Sequence, residues 1–104
     1  MIYYKTISVS LEEMKTINKL LKTGYDNNGK WTEDDMQSYT AKFDNGFFAD
    51  IKICGADEDL PWTEMVLFNQ DGGECCCTDC SDEFEGEWEL EYNGDIYRVI
   101  VVSN

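Results

Sequence analysis

With 104 residues, 42% of them hydrophobic and 13% aromatic, the chain is expected to form one domain, 1–104, around one real core, which argues against wholesale disorder. Its formal charge of −14, from 22 acidic against 8 basic residues, lies far outside the usual range for a small domain. Such a surface argues against direct binding to nucleic acid phosphates or to an anionic membrane, and favours a basic protein partner or plain solubility.

The opening MIYYKTISVS has neither the basic start nor the apolar stretch of a signal peptide. No apolar run approaches the ~20 residues that cross a bilayer. The expectation is a cytoplasmic protein whose cysteines stay reduced, and with five cysteines a fully paired set of internal disulfides is impossible. Charge is also unevenly placed. Lys5, Lys15, Lys19, Lys22 and Lys30 sit in the first third with Glu12, Glu13 and Asp26, while the rest of the chain sets all its other carboxylates against Lys42, Lys52 and Arg98.

Residues 2–9 read as a strand without strict alternation. Ser10 is a good N-cap, and Glu13 three residues on completes a capping box. Leu11, Met14, Ile17 or Asn18, and Leu21 then fall on one helical face with Leu20 beside them. Lys19 and Lys22 suit the negative end of the helix dipole, and Gly24 closes it. This amphipathic helix is expected to lie across one face of a sheet. Residues 25–35 form a polar loop. Within it Asp26-Asn27-Asn28-Gly29 suggests a calcium loop, but a count from Asp26 puts Trp31 where glycine is required, and moving Gly29 to that place puts Gly24 at the first ligand. A plain turn is the better reading.

Residues 38–43 and 47–54 make a hairpin about Asp44-Asn45-Gly46. An acidic turn follows at 55–59, and strands at 62–68 and 74–78 pair across 69–73. The loop 79–83 leads to the last hairpin, where Trp88, Leu90 and Tyr92 alternate with Glu85, Glu87, Glu89 and Glu91. A period of two marks a half-buried strand. Asn93-Gly94 turns the chain, and the arm from Ile96 to Val102 is apolar at nearly every position, as in the middle of a sheet. A two-residue turn places Glu89 opposite Arg98 and Trp88 opposite Val99. A three-residue bulged turn places Trp88 beside Ile100. Both remain open. The order β-α-β-β-β-β-β-β with short connections predicts an α+β fold: a mostly antiparallel, curled sheet or open barrel of about seven strands with one N-terminal helix.

Chemistry is sparsely signalled. The chain has no histidine, the commonest general base, and no phosphate loop or nucleophile elbow. An acid–base pair in a carboxylate-lined cleft is the enzymatic alternative. Cys54, Cys75, Cys77 and Cys80 could supply four thiolates to zinc. They include only one C-x-x-C and no helix begins after Cys80, so small buried hydrophobes on a strand is the better reading, and no cofactor is expected. The row Glu85, Glu87, Glu89, Glu91 has more physical content. Its carboxylates repeat every ~6.6–6.8 Å, close to the direct separation of successive phosphates on a nucleic acid strand. Asp82, Glu83 and the 55–59 turn could extend it. The plainer reading is a solvated strand whose charges keep an edge from pairing; the functional one is a non-enzymatic module docking a basic protein surface.

Three segments, SYTAKFDNGFFADIKICG, WTEMVLFNQDGGECC and EFEGEWELEYNGDIYRVIVV, together with the opening strand and helix, resemble a family of short acidic proteins of low-GC Gram-positive bacteria, often carried on mobile elements. The resemblance implies a cytoplasmic bacterial protein serving such an element, and an inhibitor of host DNA-handling or defence proteins. It brings no catalytic residues.

Overall fold

The computed structural model describes residues 1–24, 37–54 and 61–104. The polar loop with its Asp26–Gly29 turn and the acidic 55–59 turn lie outside the described residues. The rest is α+β, with strand β1 (Ile2–Val9), helix α1 (Leu11–Thr23), and strands β2 (Gln37–Lys42), β3 (Phe48–Cys54), β4 (Trp62–Phe68), β5 (Glu74–Cys77), β6 (Gly86–Tyr92) and β7 (Asp95–Ser103).

The strands divide into two sheets, one ordered β1-β7-β6 and one ordered β2-β3-β4-β5. Every pairing is antiparallel except β1 with β7, which run parallel from Ile2↔Ile96 to Val9↔Ser103. β1 runs near β2 and β5 near β6, but neither seam is hydrogen-bonded as a ladder, so the barrel is not closed. Among the described residues, no helix is long and apolar enough to cross a membrane.

Helix α1 begins where the Ser10 hydroxyl accepts the Glu13 N–H at 3.1 Å, and it ends at Gly24, whose φ of 82° suits a residue without a side chain. The Glu13 carboxylate is engaged elsewhere: it accepts from the Tyr39 hydroxyl at 2.6 Å, tying the helix to β2. Met14, Ile17, Leu20 and Leu21 enter the core, whereas Leu11, expected on that face, is 51% exposed in the first turn. The inward rows Ala49-Ile51-Ile53 of β3 and Met65-Leu67 of β4 meet Tyr97-Val99-Val101 of β7. Tyr97 stacks between Tyr3 and Phe47, with centroids 5.2 and 5.3 Å away, and Phe43 meets its edge at 5.1 Å. These rings join the two sheets into one core.

Candidate interaction surface

The last hairpin adopts the two-residue turn. Asn93 and Gly94 have φ of 51° and 81°, the pair of positive values that a tight hairpin needs. Glu89 therefore faces Arg98, and Trp88 faces Val99. On the inner side Trp88 is buried, with Leu90 and Tyr92 half-buried, while Glu87, Glu89 and Glu91 stand exposed on the outer side. Glu85 does not continue this row. The strand starts at Gly86, whose φ of 134° suits glycine and bends the chain there. The Glu85 carboxylate accepts from the Ser103 hydroxyl at 3.0 Å.

Asp82 and Glu83 are exposed on the approach to β6, and the four-stranded sheet fixes their backbone. Thr63, a buried polar residue of β4, exchanges backbone hydrogen bonds with Ser81 at 2.7 and 2.8 Å. Its hydroxyl hydrogen lies between two acceptors, the carbonyls of Ser81 and Glu83. The Glu83 N–H donates to the Ser81 hydroxyl at 3.1 Å. Phe84 is fully buried against Tyr39, with ring centroids 5.0 Å apart, and its carbonyl accepts the Trp88 indole N–H at 3.0 Å. The carboxylates at 82, 83 and 85 are thus carried on a segment pinned from both sheets.

Arg98 changes the electrostatics of the row. Its Nε lies 2.8 Å from Glu87 and 3.0 Å from Glu89, and Nη2 also reaches Glu89. Nη1 donates to the Tyr4 hydroxyl at 3.1 Å, and the guanidinium lies 5.1 Å from that ring's centroid. The hydrogen bond that the guanidinium donates to Glu89, above all, holds its pKa above the ordinary value. Two strand carboxylates, Glu87 and Glu89, therefore share one cation. Asp82, Glu83 and Glu91 have no ion-pair partner among the described residues.

Two open hollows flank the pinned segment. One of about 290 Å³ lies between Lys22 of α1 and Asp82–Glu85; the other, about 120 Å³, lies beside Glu85, Glu87 and Trp88. Both open to solvent.

The cysteines spread over the second sheet. Cys54 is buried at the end of β3, its thiol 3.8 Å from a Glu64 carboxylate oxygen, and burial followed by the Glu64 charge pushes its pKa up. Cys76, opposite Leu67, and Cys77, opposite Val66, leave opposite faces of β5. Burial, then its neighbours Cys75 and Cys77, raise the Cys76 thiol. Cys77 and Cys80 are exposed. Among the described residues, no three cysteines or carboxylates are placed to hold a metal ion, so Cys54, Cys75, Cys77 and Cys80 do not assemble the tetrahedral set considered from sequence.

No protein-family model, curated protein or solved structure matches the chain.

Proposed function

We propose that this protein is a non-enzymatic acidic module that docks a basic protein surface through residues 82–91. The observation that carries the reading is the run of exposed carboxylates, Asp82, Glu83 and Glu85 on the pinned segment and Glu87, Glu89 and Glu91 on β6. Preorganised charge of one sign steers association and penalises wrong partners. The strand carboxylates repeat at roughly twice the strand rise, about 6.7 Å, which suits a partner whose cationic groups are spaced to grip a nucleic acid backbone. The resemblance to short acidic proteins of mobile elements supports a bacterial cytoplasmic setting and a DNA-handling or defence protein as the partner.

The test is pull-down with native mass spectrometry at low and high salt, comparing the wild type with the triple variant Asp82→Lys, Glu83→Lys, Glu91→Lys. These positions make no ion pair within the described residues, so the fold is expected to survive. Salt-sensitive partners disappear with the variant. A variant that retains every partner overturns the reading.

A further inference from the structure

We infer that the outer face of the β1-β7-β6 sheet seats a basic amphipathic helix of the partner protein. The inference rests on the docking reading above and adds an apolar half to it. Register sets three rows across this face: Ile2–Ile96–Glu91, Tyr4–Arg98–Glu89 and Thr6–Ile100–Glu87. Each row runs from an uncharged residue on β1, through β7, to a carboxylate on β6. Ile2 is 46% and Tyr4 55% exposed, and Ile96 and Ile100 are half-buried. Helix α1 packs into the core on the opposite side of the sheet, and on this face Thr6, Glu87, Glu89 and Glu91 are exposed as well.

The dimensions favour a helix. Strands lie about 4.7–4.9 Å apart, so the β1 and β6 columns are separated by roughly 9–10 Å. A helix with its side chains is about 10–12 Å across, so one laid along β7 touches both columns. Helix positions four apart rise about 6 Å, close to the pitch of the β6 carboxylates. An extended strand presents a single row of side chains per face and cannot fill both columns. Charge complementarity orients the occupant: lysines or arginines over Glu87, Glu89 and Glu91, and aliphatic side chains over Ile96, Ile100 and Tyr4. A second copy of this chain fits poorly, because each carries a formal charge of −14.

The test titrates the full chain with a synthetic leucine/lysine helical peptide, apolar on one side and cationic on the other, and with a scrambled isomer of the same composition. Sedimentation of the protein alone runs in parallel. The amphipathic isomer is expected to bind about tenfold or more tightly than the scramble, and the Ile96→Thr, Ile100→Thr double variant to lose about that factor. Threonine keeps the β-branched shape the strand favours; should the pair lower the melting temperature, Ile2→Thr, at the exposed end of an edge strand, carries the same test. Glu87→Gln with Glu91→Gln is expected to weaken binding and flatten its salt dependence. If the two isomers bind alike and the threonine variants are silent while the glutamines still weaken binding, the helix seat is wrong and docking by charge alone stands. If the glutamine variant binds as the wild type does, the docking reading itself fails. A dimer in sedimentation that the threonine variants dissolve assigns the face to a second copy and overturns the inference.

Discussion

The outer faces of the two sheets handle charge in opposite ways. On β2-β3-β4-β5 the Thr40 hydroxyl donates to Asp50 at 2.6 Å, and Lys52 stands opposite Glu64. The Lys52 ammonium also lies 5.7 Å from the Phe68 ring, which stacks on Phe48 at 5.0 Å. Both signs therefore stand on that face, the Lys52 cation across from the Glu64 carboxylate. On β1-β7-β6 the carboxylates fill one column, with a single guanidinium beside them and aliphatic residues beyond. Net charge by itself does not locate a binding surface; segregation of charge from apolar area does.

The largest expected effect comes from detaching the acidic segment. Phe84 is fully buried and holds residues 82–85 between the sheets, so Phe84→Ala is expected to cost about 3–5 kcal/mol, read as a lower urea midpoint. Phe48→Ala, at a half-buried position on the other outer face, is expected to cost clearly less. Equal losses would mean that Phe84 is no special anchor.

Next comes binding. Asp50→Lys with Glu64→Lys reverses two charges on the four-stranded sheet and is matched by the Asp82→Lys, Glu83→Lys pair, two thirds of the charge change in the Asp82, Glu83, Glu91 triple variant. If segregation matters, that pair weakens capture of a basic partner by about tenfold or more at low salt, and the Asp50/Glu64 variant leaves it nearly unchanged. Parallel losses in both would reduce the effect to net charge, and the contrast between the faces would carry no function.

The two Asn-Gly turns show how far the sequence could be read. At Asn93-Gly94 both residues take positive φ and the hairpin is tight. At Asn45-Gly46 only the glycine does, with φ of 91°, because the Asn45 amide is used otherwise: it accepts the Phe47 N–H at 3.1 Å and donates to the Tyr97 hydroxyl at 2.9 Å. That second contact spans 52 positions, and no local pattern reports it. Strands and helix were legible because period and caps are local. The split into two sheets, the parallel β1–β7 pair and the Thr63 clamp on Ser81 and Glu83 were not, since each depends on distant partners. The row of glutamates was legible from Glu87 onward. Glu85-Gly86-Glu87 keeps the period of two through a residue with no side chain to show the bend.

A smaller, pH-dependent effect separates the inner polar contacts from the outer ones. Burial first, then the hydrogen bond and charge of Glu13, raise the Tyr39 pKa above its ordinary value of 10.0. The unfolded chain therefore ionises there first, so this stability is full below about pH 10 and is lost as pH rises beyond it. Burial also raises Tyr97, so Tyr39→Phe is expected to reduce the alkaline slope without abolishing it. Urea unfolding on either side of pH 10 measures this, and an unchanged slope would remove Tyr39 from the account.

The smallest effect tests Arg98, the cation beside Glu87 and Glu89 on the segregated face. Arg98→Gln leaves Glu87 and Glu89 without their shared partner and frees the Tyr4 ring. If Arg98 only tempers the acidic row, a basic leucine/lysine peptide then binds about two- to fivefold more tightly at low salt, and the gain fades as salt screens it. The melting temperature falls slightly, because the ion pairs are solvent-exposed. Weaker binding at every salt concentration would give Arg98 a different role, as a platform that holds Tyr4 flat and stacks against the occupant itself. The salt series separates the two, since screening removes a charge effect and leaves a packing effect in place.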